Sequence, residues 1–113
     1  MKKSLVFLLF LVSVQIANSM EIWERGGSIA LKGEIVKGDY DKVLEALRKR
    51  KDFPDYFLLA SNGGDVLEAT RIGTLLRDTA ATIQVSGPCY SACFFILVAG
   101  VNRVLTDQPI GIH

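Results

Sequence analysis

Apolar residues recur along the first part of the chain with two periods, one typical of strands and one typical of helices. Between Ile29 and Ile35 they occupy every second position, which predicts a half-buried strand. From Tyr40 to Leu47 they recur at i, i+3, i+4 and i+7, which predicts an amphipathic helix with Asp39 as its N-cap. The residues before this strand, Met20 to Gly27, are predicted to be a short lead-in.

Strands and helices continue to alternate in the second part of the chain. The apolar run Tyr56–Ala60 predicts a strand buried on both faces of a parallel sheet. Asp65 is predicted to cap a second amphipathic helix. Its inward positions are Val66, Ala69, Ile72, Leu75 and Leu76, and its outward positions are Glu68, Arg71 and Arg77. Ala81 to Ser86 predicts a third strand, which Gly87-Pro88 is expected to end.

The predicted order of elements defines the fold class. The segment from Ser91 to Gly100 has no polar residue after the serine, which predicts a buried helix. Short strands are predicted at 101–106 and from Ile110 onward. The order β-α-β-α-β-α-β-β predicts an α/β fold with a mostly parallel sheet and right-handed crossovers. Because the chain stops where a strand begins, we expect missing C-terminal structure or a partner that completes the fold.

The first 19 residues have the features of a secretory signal peptide. Lys2 and Lys3 form a basic start, and an uncharged apolar segment runs from Leu5 to Val14. Ala17 and Ser19 supply small residues at positions −3 and −1 of a cleavage site after Ser19. The stretch is shorter than the roughly 20 residues of a membrane-spanning helix, although an uncleaved anchor is the alternative. We therefore expect residues 20–113 to be one periplasmic or secreted α/β domain without a stable membrane span.

Charge gives no support for nucleic-acid binding. The chain has 13 Lys and Arg against 12 Asp and Glu, and loss of residues 1–19 would change the formal net charge from +1 to −1. The one basic cluster, Arg48 to Lys51, ends a predicted helix, where cations stabilise the helix dipole. A nucleic-acid or membrane patch is the alternative interpretation of this cluster. We expect no nucleic-acid partner.

The two cysteines allow two interpretations. Cys89 and Cys93 are four residues apart, and on a helix this spacing separates the Cα atoms by about 6 Å, near the limit for a disulfide. In an oxidising compartment a disulfide would clamp the turn around Ser91. The alternative is a pair of small buried thiols. Two cysteines and one distant histidine are too few for the usual four ligands of a structural zinc ion, so no metal or cofactor is expected.

Ser91 is the candidate nucleophile. It lies between a predicted strand and a predicted helix, where unpaired N–H groups favour negative charge. The N–H of Ala92 would be one donor for an oxyanion, and the Gly63-Gly64 turn would bring a second backbone N–H close to a substrate. His113 is the only histidine and the only side chain able to act as a base near neutral pH. Each feature also has an ordinary structural role, as an N-cap, a turn or a terminal residue.

The order of these features resembles a known superfamily. Ser61-Asn62-Gly63-Gly64-Asp65 is similar to the Ser-Pro-Gly-Gly loop of the Clp protease proteolytic subunit, with Asn62 in place of proline. Tyr90-Ser91-Ala92 resembles its nucleophile turn, Ala99-Gly100 the end of the following helix, and Ile110 to His113 the segment that carries its histidine. The resemblance runs from Ile29 to His113 and is to the ClpP/crotonase superfamily, especially its secreted bacterial members.

The resemblance implies a role for each residue. Ser91 would be the nucleophile, His113 the general base, the N–H groups of Gly63 and Ala92 the oxyanion hole, and Asn62 and Gly64 part of the substrate-binding loop. The fold would be a spiral of βαβ repeats. The acid of the family's triad lies beyond its histidine, where this chain has no residue, and the cysteines beside Ser91 differ from the housekeeping protease.

Three functions compete at this point. The first is an exported serine hydrolase, a peptidase acting on peptides or proteins. The second is a catalytically degenerate interaction module, which the missing acid favours. The third is a crotonase-type enzyme that acts on acyl thioesters through the oxyanion hole alone, which the signal peptide disfavours. Related assemblies are rings or trimers, so a homo-oligomer is an additional expectation.

Overall fold

A single mixed sheet with helices between its strands organises the computed structural model, which describes residues 19–112. The strands are β1 (Glu21–Arg25), β2 (Ser28–Lys32), β3 (Tyr56–Ser61), β4 (Thr82–Tyr90), β5 (Asn102–Val104) and β6 (Ile110–Gly111). The helices are α1 (Asp39–Arg48), α2 (Val66–Thr79) and α3 (Ala92–Ala99). The signal peptide predicted at residues 1–19 lies outside the described residues except for Ser19.

The sheet has the order β1-β2-β3-β4-β5, with β6 paired to the end of β4. The pairs β2–β3, β3–β4, β4–β5 and β4–β6 are parallel, and β1–β2 is antiparallel. Parallel neighbours require crossover connections, which α1, α2 and α3 supply in turn. The predicted α/β fold with a mostly parallel sheet is therefore confirmed.

The predicted lead-in is wrong, because its residues form the edge strand β1. A turn at Gly26, where φ is +63°, folds β1 back onto β2, so that Arg25 pairs with Ser28 and Glu21 with Lys32. Four of the five residues of β1 are exposed, and Ile22 is half-buried. Because only Ile22 of this edge strand packs against the core, β1 has no alternating apolar positions that would mark it in the sequence.

Strand β4 continues through Gly87 and Pro88, where the sequence predicted its end. Its register with β3 jumps from the Leu59–Val85 pair to the Ser61–Cys89 pair. On its other side β5 reaches only to Gln84, and β6 begins opposite Cys89. Pro88 therefore lies where β4 has no paired neighbour, and its missing N–H removes no ladder bond.

Helices α1 and α2 pack on the core largely as predicted. The carboxylate of Asp65 accepts a hydrogen bond from the Glu68 N–H at 2.8 Å, so the predicted cap is confirmed. Val66, predicted to be inward, is 48% exposed. Asp39 is the first residue of α1 rather than its N-cap, because Gly38 occupies the cap position with a φ of +100°.

Glu68 is the clearest exception to the predicted faces of α2. The sequence predicts an outward side chain, but Glu68 is only 4% exposed. Its Oε2 accepts hydrogen bonds from the Tyr40 N–H at 2.7 Å and the Gly38 N–H at 3.2 Å. The carboxylate thus binds two of the unpaired donors at the start of α1, which accounts for a charged residue on a buried face.

Helix α3 is apolar throughout, yet only one of its faces is covered. Ile96, Leu97, Ala92 and Cys93 are buried, whereas Phe95 and Val98 are more than 40% exposed. On the covered side α3 approaches α2 closely, because a Cβ added to Gly73 would lie 2.8 Å from the Cβ of Ala99. Within residues 19–112 no helix combines the length and the apolarity that crossing a membrane requires.

Candidate active site

Ser91 joins β4 to α3 in an unusual backbone conformation. Its φ is +54° and its ψ is −122°, which is outside the regions that non-glycine residues ordinarily occupy. Among the described residues the other non-glycine residue with positive φ is Ala80, whose φ of +58° and ψ of +13° are ordinary for the end of a helix. The side chain of Ser91 makes no capping hydrogen bond to α3. Ser91 therefore occupies the N-cap position of α3 without the side-chain hydrogen bond by which a serine stabilises a helix start.

The Gly63-Gly64 turn lies directly against Ser91. A Cβ added to Gly63 would lie 2.9 Å from the Cβ of Ser91 and 3.3 Å from its Oγ, closer than packed side chains allow. Gly63 has a φ of +118°, which also favours glycine. The hydroxyl and the backbone of the turn, which are 28 positions apart in the sequence, are thus brought together by the parallel pairing of β3 with β4.

The amide groups around Ser91 differ in what they bind. The Gly63 N–H donates to the Oγ of Ser61 at 3.0 Å, so it would have to leave that partner to bind an oxyanion. The carbonyl of Gly63 and the N–H of Asp65 both bind Ile35, and no hydrogen bond among residues 19–112 involves the Gly64 N–H. The N–H of Ala92 is at the first position of α3, where the helix supplies no acceptor.

Strand β6 brings the end of the chain to the serine turn. The Ser91 N–H donates to the carbonyl of Gly111 at 2.8 Å, and the Cys89 N–H donates to the carbonyl of Pro109 at 3.0 Å. These bonds place the segment that precedes His113 alongside the end of β4. His113 itself lies outside the described residues, so its predicted role as a base stays a prediction.

Cys89 and Cys93 are joined by a disulfide, with Cα atoms 5.3 Å apart. Both residues are fully buried. The bond connects the end of β4 to the first turn of α3 and so spans the residue between these elements, Ser91. Of the two interpretations that the sequence left open, the structure has the disulfide.

An open cleft of about 520 Å³ lies beside the glycine turn. Asn62, Gly63 and Gly64 line it, and the role of Asn62 and Gly64 in a substrate-binding loop stays a prediction. The sequence interpretation missed Lys32, Gly33 and Glu34, which also line the cleft, whereas Ser91 and Ala92 are not among its lining residues. The three missed residues lie at and just after the end of β2, and the carboxyl ends of parallel strands meet at one edge of a sheet, so strand order could have indicated them.

Comparison with known proteins supports the fold. No model of a known protein family matches the chain, and no curated protein matches it. An enoyl-CoA hydratase from Shewanella pealeana ATCC 700345 has a similar structure, with a TM-score of 0.50 over 88% of this chain and a sequence identity of 12%. The chain spans about half of that protein, with 51% coverage. The chain therefore has a crotonase-like fold, and a likeness at this identity establishes the fold alone.

Proposed function

We propose that this protein is an exported serine hydrolase of the ClpP-like type that cleaves peptides. Ser91 is the nucleophile, His113 the general base, and backbone N–H groups at the Gly63-Gly64 turn and at Ala92 bind the oxyanion. Asn62 and Gly64 line the open cleft beside the turn and would contact the substrate on its way to Ser91, which lies against Gly63. The proposal needs no metal and no cofactor.

The backbone of Ser91 is the observation that carries this proposal. A non-glycine residue at φ +54° and ψ −122° is strained, and strain of this kind is concentrated at functional sites. The strand-to-helix turn exposes a serine hydroxyl in the same way in other hydrolases, where the residue after the nucleophile supplies an oxyanion donor. The close approach of Gly63 to Ser91 adds a second source of backbone donors near the hydroxyl.

The reaction would take place in two steps. His113 removes the proton of Ser91 as Oγ attacks the substrate carbonyl carbon, and the carbonyl oxygen becomes an oxyanion held by two N–H groups. The C–N bond then breaks, His113 returns the proton to the leaving amine, and an acyl-serine remains. Water, activated by the same imidazole, hydrolyses this ester and restores Ser91.

The amide of Gly64 is the donor at the turn that has no partner among residues 19–112, although Gly63 is the glycine that lies against Ser91. The Gly63 N–H, by contrast, is engaged by the Oγ of Ser61. Use of Gly63 would require Ser61 to turn away when substrate binds. Both donors are backbone atoms, so a side-chain substitution at either glycine tests the turn as a unit.

A fluorophosphonate probe tests the proposed nucleophile in the full-length native protein. We expect the probe to label Ser91, identified by mass spectrometry of the labelled peptide, and Ser91→Ala to abolish labelling. Ser86→Ala is the matched control, because Ser86 is an exposed serine of β4, the strand that leads to Ser91. Native protein that is folded but unlabelled at Ser91 would refute the hydrolase proposal.

His113→Gln tests the proposed base separately. We expect the labelling rate at Ser91 to fall by about 10²- to 10⁴-fold, the usual contribution of a general base. An unchanged rate would exclude the histidine from the mechanism. The hydrogen bond from the Ser91 N–H to the Gly111 carbonyl does not involve the substituted side chain, and circular dichroism of the variant checks that its fold is retained.

Thioester chemistry is the second candidate, because the structural neighbour is an enoyl-CoA hydratase. Such a reaction would use the backbone donors and no serine nucleophile. Ser91→Ala distinguishes the two functions, since it should abolish a hydrolase and leave acyl-thioester turnover. If the protein is instead a non-catalytic interaction module, we expect neither hydrolase nor thioester activity. Its biological activity would then be unchanged in Ser91→Ala.

A further inference from the structure

Asp39 is a buried carboxylate with an incomplete set of partners. It is 1% exposed, and its Oδ2 accepts a hydrogen bond from the Val36 N–H at 2.7 Å. Its Oδ1 accepts no hydrogen bond within the described residues, although the Nζ of Lys42 lies 3.4 Å away as an ion pair. The side chain of Lys42 is 44% exposed, so solvent weakens the pairing. A buried carboxylate requires better compensation than this.

The main-chain nitrogen of Met20 faces the same carboxylate. It lies 3.4 Å from Oδ2 of Asp39, a long contact for an amide donor. The side chain of Met20 is fully buried in the core, so this nitrogen is held in place. Gly33 packs against the same segment, because a Cβ added there would lie 3.2 Å from the carbonyl oxygen of Ser19 and 3.5 Å from the Cα of Met20.

We infer that cleavage between Ser19 and Met20 creates an N-terminal ammonium group that binds Asp39 and completes the fold. Water adds across the peptide bond, so that Ser19 leaves with a carboxylate and the nitrogen of Met20 becomes a protonated amine. An ammonium carries three donors and a positive charge at neutral pH, where the amide has one donor and no charge. One donor would bind Oδ2 and another Oδ1, which accepts no hydrogen bond from the described residues. We name this ion pair the N-terminal latch.

The latch rests on the export that is part of the proposed function, and it adds a step of maturation. Signal peptidases cut the extended chain during export, before the core forms. After folding, Met20 is buried and the bond before it is protected. Removal of Ser19 also ends its contact with Lys42, whose Nζ lies 3.2 Å from the serine Oγ. This loss is small because the contact is exposed, so the ion pair with Asp39 would still make the mature chain more stable than the precursor.

Two measurements test the latch, and neither depends on activity. First, the full chain is expressed with its own leader in a Gram-negative bacterium, and the exported protein is sequenced from its N-terminus. We expect Met20 as the first residue, and any other first residue would overturn the inference. This result is independent of probe labelling at Ser91, so failure of the latch and failure of the hydrolase proposal are distinguishable.

The second measurement is a double-mutant cycle on chains that begin at Met20 or at Ser19, folded under oxidising conditions. The extra serine moves the ammonium away from Asp39. We expect the unfolding equilibrium constant in urea to be at least tenfold smaller for the Met20 chain. Asp39→Asn should abolish the difference, whereas Asp41→Asn, an exposed control in the same turn, should preserve it. Equal stability of the two wild-type chains would overturn the inference.

Reactivity of the N-terminal amine provides a readout if Asp39→Asn does not fold. Acetic anhydride is applied to the native Met20 chain and to the same chain in urea, and acetylation is followed by mass spectrometry. We expect the amine of Met20 to react at least tenfold more slowly in the native chain, with exposed Lys51 as the internal reference. Equal reactivity in the two states would show that the ammonium is free, and would overturn the latch.

Discussion

Ser91 has a backbone conformation that costs free energy, and the neighbouring structure maintains it. The N–H of Ser91 donates to the carbonyl of Gly111, and the carbonyl of Ser91 accepts from the N–H of Phe94. A disulfide joins the cysteines on either side of Ser91. Residues in such conformations persist only where the surroundings determine them, and the cost is about 1 to 3 kcal/mol each. The sequence predicted the location of this serine but contained no sign of its φ and ψ angles.

Replacement of Ser91 by glycine should therefore release this strain. We expect Ser91→Gly to be more stable than Ser91→Ala by about 1 kcal/mol, because alanine keeps the Cβ that disfavours positive φ. Urea unfolding of the two variants, both lacking the hydroxyl, measures the difference. A Ser91→Ala variant at least as stable as Ser91→Gly would contradict the proposed backbone strain at position 91.

Gly63 is the second residue whose role depends on local geometry. We expect Gly63→Ala to lose probe labelling at Ser91 and to destabilise the fold by about 1 to 3 kcal/mol, because the new Cβ meets Ser91 and φ is +118°. Gly26→Ala is the matched control, since Gly26 also has positive φ but nothing lies within 4 Å of its Cβ position. The control should keep full labelling, and a labelled Gly63→Ala protein would contradict the site.

At the scale of elements, the period of the apolar residues predicted which segments are helices and central strands. It was less accurate for the residues at which these elements end. The apolar runs of β3 and α3 and the cap at Asp65 are local properties, and the structure has them. The path of β4 through Pro88 and the buried side of Glu68 depend on which elements become neighbours. Neither can be read from a window of residues, because the partners of Glu68 are about 30 positions away.

Glu68 should couple α2 to the start of α1. We expect Glu68→Ala to destabilise the folded protein by about 2 kcal/mol. The reason is that the N–H groups of Gly38 and Tyr40 lose the charged oxygen that accepts their hydrogen bonds. Glu45→Ala, at an exposed position of α1, should change stability by less than about 0.5 kcal/mol. Equal effects of the two substitutions in thermal and urea unfolding would mean that the buried carboxylate contributes nothing.

At the scale of the whole molecule, one core unites the sheet and its helices. Phe57 is among its largest fully buried side chains and lies on β3, between β2 and β4. A domain of this size has a stability of about 5 to 15 kcal/mol, so a single large cavity removes much of it. The site at Ser91 depends on this core, because β3 and β4 position the glycine turn and the serine.

Phe57→Ala should accordingly abolish both folding and labelling under mild denaturing conditions. We expect a loss of about 3 to 5 kcal/mol, from lost burial and the cavity that remains. Phe53→Ala is the matched control, because Phe53 is 64% exposed, and it should change stability little. A Phe57→Ala protein with wild-type stability by circular dichroism during heating would contradict the described core.

The sequence by itself determined the class of the fold, the order of the central strands and helices, and the helix cap at Asp65. These follow from hydrophobic periods and short capping motifs, which act over a few residues. Only the tertiary structure decided that residues 21–25 form an edge strand, that Glu68 is buried, and that Gly63 meets Ser91. Each of these depends on contacts between residues that are distant in the sequence. The free energy of such contacts cannot be deduced from a short stretch of residues. The disulfide depends on both sequence and tertiary structure. The spacing of Cys89 and Cys93 permits it, and the turn at Ser91 brings the sulfur atoms together.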